Sequence, residues 1–389
     1  MIELKIERSA FGGDGIAFYE GKACFVQGAL PGERVQAELI QDKKSFMRFR
    51  TLRVLERSPH RVDPPCSYYG RCGGCQYQHV AYEEELRLKE SQLRDALKNI
   101  PQALGAICPM RHGPEEYGYR HSVTFHVDSS GKTPRLCFIG GDNVSKISVK
   151  SCDLLNAPLR VLFERPVRLE KGSEKIAFKM DEKGSLFSDQ QELFLRVRVL
   201  GQSFVVSSKG FFQNNWEVAE LLCRKTAEWV RSAAPSVFYD LYAGVGTFSF
   251  LSAFSVPEIV CVEESPFAVA ALRMNQAEKK PQSMRIVEGR VEKTFPGLWE
   301  KEQSGRAMIF LDPPRQGVEK SFAEFLGEAR AGSMIYVSCD ITTLARDLQL
   351  ILRSGYWAIE EIVPFDMFPR TKHIEAAVLL SGRHGKMEE

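Results

Sequence analysis

From residue 210 onward, short apolar runs alternate with stretches whose apolar positions recur at helical spacing. The runs SVFYDLY, EIVCVEE, SMRIVEG, AMIFLDP, MIYVSCD, EEIVPFDMF and EAAVLLS read as strands. Helical stretches lie between most of them, among them 214–233 and 266–277. This alternation predicts a mostly parallel sheet covered on both faces. The last two runs follow one another closely, so one of them is expected to run antiparallel, as in a hairpin. Residues 1–57 look different: alternating runs such as IAFYE, ACFVQ and RVQAELI, punctuated by Gly12, Gly13, Gly15, Gly21, Gly28 and Gly32, predict a small β-barrel. Pro59, Pro64 and Pro65 mark a boundary. A helix is expected over 82–99, where Leu86, Leu93, Ala96 and Leu97 keep a helical period. Residues 117–205 return to β pattern in SVTFHV, RLCFIG, KISV and FLRVRV. The expected organisation is a barrel over 1–57, a central β-rich domain over 58–205 and an α/β Rossmann-like domain over 206–389. Helix 82–99 is free to pack on the last of these.

Length and composition agree with this division. A chain of 389 residues holds two or three domains, and its 44% apolar and 26% charged residues are ordinary for globular protein. No apolar run reaches the roughly 18 residues a membrane span needs. The start, MIELKIERSAFGG, has no apolar signal core, so the chain reads as cytoplasmic. Net charge is only +2, but its distribution is uneven. Between Lys43 and Arg61, the bases Lys43, Lys44, Arg48, Arg50, Arg53, Arg57 and Arg61 face a single acid, Glu56, with Phe46 and Phe49 among them. Basic and aromatic side chains together suit phosphates and stacked bases; a solvated strand face is the plainer explanation.

Of ten cysteines, Cys24, Cys108, Cys137, Cys223, Cys261 and Cys339 are scattered. Cys66, Cys72 and Cys75 fall within ten residues, and Cys152 follows much later. In a cytosolic chain such clustering points to a metal rather than to disulfides. Four thiolates suit tetrahedral zinc or an iron–sulfur cluster. Zinc ribbons carry paired CxxC knuckles and this chain has one CxxC, so the spacing fits [4Fe-4S] better than zinc; ordinary reduced cysteines remain the third reading. Gly70, Gly73 and Gly74 let the backbone wrap a bulky core.

Two further places carry chemistry. The first strand of the C-terminal domain ends in DLYAGVGTFSF, where Gly244 and Gly246 permit a tight turn against a ligand. The second strand ends in VEES, which puts Glu263 19 residues after Gly244, where an acid can bind ribose hydroxyls. Ser249 stands where a dinucleotide motif has its third glycine, which favours S-adenosylmethionine over NAD. The other place is the set of later strand ends. Cys339 ends MIYVSCD, Asp312 ends a strand in LDPPRQG, and Glu375 lies in the apolar run HIEAAVLL. A thiol that adds to C6 of a pyrimidine makes C5 electron-rich, and a base must later remove the C5 proton. Cys339 suits the first task and Glu375 the second, with His373 a weaker rival; an inert core cysteine and an edge-strand glutamate are the plain alternatives. Pro313 and Pro314 stiffen the loop after Asp312, and Arg315 suits a phosphate or carboxylate. Gln213, in KGFFQNN, offers an amide to the cofactor or the base.

With these residues together, the chain resembles the RNA 5-methyluridine methyltransferase family. The motifs are FFQNN, DLYAGVGTFS, LDPPRQG, VSCDITTLARDL and KHIEAAVLL. GGDGIAF, GKACFV and ALPGERV resemble the TRAM variety of OB-fold, a type of barrel that commonly binds RNA. The resemblance implies a TRAM barrel, an iron–sulfur domain and a class I methyltransferase domain that uses S-adenosylmethionine. It implies Cys339 as nucleophile, Glu375 as proton acceptor, Gln213, Tyr242, Glu263 and Asp312 as cofactor-binding positions, and Cys66, Cys72, Cys75 and Cys152 as [4Fe-4S] ligands. Where the family often has Asn after the nucleophile, this chain has Asp340, and a carboxylate there is expected to raise the thiol pKa. RNA is the implied partner, large-subunit ribosomal RNA ahead of transfer RNA, and a monomer is expected. A cytosine methyltransferase and a non-catalytic RNA-binding scaffold are the rival readings.

Overall fold

Alternating side chains of residues 2–56 curl one sheet around a small core. The computed structural model describes residues 1–383 except 132–133, 165–166, 168, 171 and 303–305. Its first sheet comprises β1 (Ile2–Lys5), β2 (Arg8–Ser9), β3 (Gly15–Tyr19), β4 (Lys22–Gln27), β5 (Arg34–Asp42) and β6 (Phe46–Glu56), in the order β1-β5-β6-β4-β3-β2. Leu4, Val26, Val35, Ala37 and Phe49 fill the interior. Glu7 N–H donates to the Ile16 carbonyl at 2.8 Å, which brings the first strand back to β3. The buried Glu33 carboxylate fastens the barrel to the segment after β6. It accepts Arg61 Nε at 2.5 Å, Arg61 Nη2 at 2.7 Å and the Leu30 and Ser58 N–H groups. A two-toothed guanidinium–carboxylate pair of this kind is geometrically demanding and strong when shielded from water.

Helix α1 (Tyr82–Leu97) occupies nearly the span its periodicity predicts, and α2 (Pro101–Ala106) comes next. Leu93 and Leu97 of α1 join a core shared with Leu241, Ile309, Tyr336 and Val378, so the helix packs on the C-terminal sheet. One turn earlier on the same side of the helix, Lys89 Nζ bridges Glu85 and Asp366 at 2.7 Å each, all three side chains fully buried. The central sheet holds β7 (Ser122–Asp128), β8 (Arg135–Ile139), β9 (Lys146–Ser148), β10 (Lys175–Met180) and β11 (Leu186–Ser188), ordered β11-β10-β7-β8-β9 and antiparallel throughout, with α3 (Ala157–Arg160) beside it. FLRVRV does not join this sheet. It forms β12 (Phe194–Val199), paired only with β13 (Gln202–Ser207). Leu195, Val197, Phe204 and Val206 of that hairpin pack with Phe238, Phe250 and Ile259 of the C-terminal domain. The expected boundary after residue 205 therefore falls inside β13. Alternation predicts a strand but not which core its apolar face enters.

The C-terminal sheet contains β14 (Val237–Leu241), β15 (Glu258–Glu263), β16 (Met284–Glu288), β17 (Ala307–Leu311), β18 (Ser333–Ser338), β19 (Trp357–Phe365) and β20 (Glu375–Gly382). Their order is β16-β15-β14-β17-β18-β20-β19. The first five run parallel, and β20 lies antiparallel to both β18 and β19. Helices α4 (Trp216–Ala233), α5 (Thr247–Leu251), α6 (Pro266–Lys279), α7 (Val291–Glu302), α8 (Lys320–Glu328) and α9 (Ile341–Ile351) intervene. Every residue of β17 and β18 is buried, as expected of strands covered on both faces. Strand order reverses at β14, and parallel sheets place ligands beyond the carboxyl ends of strands at such a reversal. Among the described residues no helix is long and apolar enough to cross a membrane.

Candidate active site

The turn after β14 is built for close approach. Tyr242, Gly244 and Gly246 have φ of +63°, +55° and +84°. A Cβ on Gly246 would come within 2.6 Å of Leu272 and 2.7 Å of Phe250, so only glycine fits there. A Cβ on Gly244 would meet nothing within 4 Å, which leaves that side open to a ligand. Glu263, at the end of β15, accepts Gly244 N–H and Ser265 N–H at 2.8 Å each, so it clamps the turn to the start of α6. Tyr242 donates its hydroxyl to Glu292 at 2.7 Å. Sequence reasoning did not assign Asp240. Its Oδ2 accepts the Ser249 hydroxyl at 2.5 Å, while its buried Oδ1 has no hydrogen-bond partner among the described residues. Burial pushes its carboxyl up to about 7, against the Ser249 bond. The available signal was a lone acid in the apolar run SVFYDLY.

The chain just after Gln213 is fixed by two asparagines. Asn214 Oδ1 accepts His121 N–H at 3.0 Å and Ser122 N–H at 2.9 Å, which ties the segment to β7. Asn215 caps α4 by accepting Val218 N–H at 3.3 Å. Lys209 Nζ lies 5.7 Å from the Phe267 ring, which brings this segment over the start of α6.

Three strand ends converge beside this turn. Asp312 follows β17, Cys339 follows β18 and Glu375 opens β20. The antiparallel ladder ends at the pair Ser338–Ala376, so Cys339 leaves β18 at the end of the sheet where Glu375 enters β20, near enough for the Glu375 carboxylate to act on the thiol. Burial pushes the Cys339 thiol up to about 12, the Glu375 and Asp312 carboxylates add to this, and Arg315 opposes it. Glu375 is 3% exposed and raised well above the usual carboxylate range by burial, then by Asp312, again against Arg315. Asp312 is raised to about 7 by burial and by Asp240. The Asp340 carboxylate is turned onto the Thr342 and Thr343 N–H groups of α9, at 2.9 and 3.1 Å. Its work is as a helix cap, and the carboxylates that raise the thiol are Glu375 and Asp312. Burial and then Arg315 lower His373 to about 3, so it is neutral near pH 7; its Nε2 sits 3.5 Å from Arg315.

The raised thiol has a measurable consequence. Iodoacetamide labelling of Cys339, followed peptide by peptide, is expected to climb from about pH 7 to about pH 10 without levelling, because the thiolate reacts and the thiol does not. Glu375→Gln should shift that curve to lower pH by removing one repelling carboxylate. A plateau below about pH 8 would contradict both.

Cys66, Cys72, Cys75 and Cys152 line one cavity of about 260 Å³, with Tyr68, Gln78, Arg120 and Phe138. None forms a disulfide. Gly73 N–H donates to the Ile139 carbonyl at 2.9 Å, and a Cβ there would sit 2.8 Å from the Gly140 oxygen, so this turn tolerates only glycine. Burial raises the thiols of Cys72, Cys75 and Cys152, Cys75 to about 12; neighbouring cysteines add to it and Arg120 opposes it. Among the described residues no set of three or more His, Cys, Asp or Glu side chains is disposed to hold a metal ion.

The strand order, the glycine turn after β14 and the acid at the end of β15 define a class I methyltransferase fold. A solved structure of Pyrococcus abyssi tRNA (uracil-54, C5)-methyltransferase, in complex with S-adenosyl-L-homocysteine, has the same architecture: TM-score 0.71 at 20% identity, covering 97% of this chain and 100% of that one. The chain belongs to the tRNA (uracil-5-)-methyltransferase family, whose profile matches residues 176–383, and a TRAM domain matches residues 1–48. An uncharacterized RNA methyltransferase of Thermotoga maritima is 30% identical, over 97% of this chain and 98% of the relative. Another from Protochlamydia amoebophila is 28% identical over 97% of each. The protein is an RNA methyltransferase of this family.

Proposed function

We propose that the protein transfers a methyl group from S-adenosylmethionine to C5 of one uridine in structured RNA, through a bond between Cys339 and C6 of the ring. The observation that carries this reading is the gathering of Cys339, Glu375 and Asp312 at one end of the sheet, where the two carboxylates act on the thiol and on each other. The Cys339 sulfur adds to C6, and electron density moves to C5. C5 takes the methyl group and S-adenosylhomocysteine departs. Glu375 then removes the C5 proton, the C5–C6 double bond re-forms and sulfur leaves as thiolate. A carboxyl raised by burial is matched to proton transfer near neutral pH. The open side of Gly244 would receive the cofactor, with Tyr242, Glu263, Gln213 and Asp312 as its binding residues. The barrel, with the basic stretch 43–61, would hold the RNA while the target base is flipped into the site.

The four-cysteine cavity fits a [4Fe-4S] cluster better than a lone ion. It gathers four free thiols, a glycine turn that tolerates no bulk, and a guanidinium suited to a net anionic group. Such a cluster would supply a covalent tie between the 66–75 turn and the central sheet. Protein purified without oxygen is expected to carry roughly four irons and four sulfides per chain. Cys72→Ser and Cys152→Ser should each lose them; one zinc per chain would refute the cluster.

Ribosomal RNA is the first candidate substrate and transfer RNA the second. Nucleosides from both RNAs, taken from cells with and without this gene, separate the possibilities by mass spectrometry. Loss of 5-methyluridine from one RNA is the expected result. Loss of 5-methylcytidine, or of no methylated pyrimidine, would overturn the reading.

A further inference from the structure

The segment between β19 and β20 leads directly into Glu375, and its first half is anchored in part by α1. Lys89 Nζ donates to Asp366 Oδ1 at 2.7 Å, and Tyr82 donates to Asp366 Oδ2 at 2.8 Å. Glu85 accepts the Arg370 N–H at 2.7 Å. These bonds stop at Arg370, which holds a φ of +67°, a left-handed value that a long side chain adopts only under constraint. The Arg370 carbonyl accepts N–H bonds from Gln76 at 2.9 Å and Tyr77 at 3.1 Å. Beyond it, Gln76 Oε1 accepts the Lys372 N–H at 2.9 Å, and Gln76 Nε2 donates to the Gly73 carbonyl at 2.9 Å. Gln76 is the residue after Cys75, so the cysteine turn and the approach to Glu375 share one amide. Among the described residues, it is the only side chain from outside the loop that hydrogen-bonds the backbone between Thr371 and Ile374.

The geometry points to Gln76 as a positioning residue for Glu375, one that sets proton removal from C5 without affecting sulfur attack. The inference rests on reading Glu375 as the base. Cys339 is placed by β18 and by α9, and among the described residues Gln76 makes no hydrogen bond to either. Freed from Gln76, the backbone at Lys372 and His373 can shift between the buried Thr371 and Ile374, and the Glu375 carboxyl loses its aim. Attack and methyl transfer then proceed, and breakdown of the adduct lags. An amide bridges donor and acceptor at once; glutamate keeps only the oxygen that serves Lys372, and methionine keeps the length and neither bond.

The test uses the full chain, S-adenosylmethionine tritiated in the methyl group, and total RNA from cells lacking this gene. Covalent protein–RNA adduct is followed on denaturing gels, alongside release of methylated RNA. Gln76→Met is expected to form adduct within about threefold of the unaltered chain and to release it about tenfold more slowly. Gln76→Glu should restore most of the release rate. Equal slowing of both steps, or unchanged release, overturns the inference. Glu375→Gln run in parallel separates the two ideas. If it traps no adduct, the base reading itself fails; if it traps adduct while Gln76→Met releases normally, only the role of Gln76 falls.

Discussion

Glu375→Gln is expected to arrest the enzyme after methyl transfer, with a methylated RNA held covalently on Cys339. Glutamine fills the same buried position at the head of β20, so the sheet and the thiol stay in place. It cannot accept the C5 proton, and without that step the sulfur cannot leave. Loss of a positioned base slows proton transfer by about 10²–10⁴-fold. Turnover should fall by that order while one methyl group per chain is still consumed. In the unaltered enzyme, adduct breakdown should quicken as pH rises through the elevated Glu375 pKa, since only the ionised carboxyl accepts a proton, and then level off. In the variant that rise should vanish. A denaturing gel that shows free protein and fast product release from Glu375→Gln would end its candidacy.

Cys339→Ala has the larger expected effect. Removing the atom proposed to attack C6 should leave an unactivated ring, and loss of a covalent nucleophile costs on the order of 10⁶ in turnover. Cofactor affinity should stay near normal, because Glu263 clamps the turn through Gly244 and Ser265, bonds in which Cys339 has no part. Calorimetric titration with S-adenosylmethionine and methyl incorporation into RNA together read both quantities. Turnover within about tenfold of the unaltered chain would exclude Cys339. Joint loss of cofactor binding would indicate a damaged fold instead.

These residues stood out in the sequence because each lies where an apolar run meets a polar loop. Asp312 closes AMIFL, Cys339 closes MIYVS, and Glu375 interrupts a run too apolar to carry a carboxylate without reason. Strand runs and the period of α1 were legible for the same cause: they are local patterns. Features that depend on distant partners were not. FLRVRV reads as a strand, but its apolar face enters the core around Phe238. Asp340 reads as a neighbour of Cys339, whereas its carboxylate belongs to the first turn of α9. Asp240 sits in the DLYAGVGTFS motif, yet only burial of an unpartnered oxygen marks it. Gln76 and Arg370 are almost 300 residues apart, and no periodicity links them. The spacing of Cys66, Cys72, Cys75 and Cys152 suggested a shared site; that Arg120 lines the same cavity appears only in three dimensions.

The placement of β20 between β18 and β19 also bears on how the chain is made. A ribosome delivers β19 before β20, so until β20 arrives the slot beside β18 is open and β19 lacks its ladder partner. Unpaired ladders invite wrong pairing. The strand that fills the slot begins with Glu375, so arrival of the proposed base and sealing of the sheet are a single event. A half-made chain would carry the sulfur but have no means of releasing an RNA it had captured.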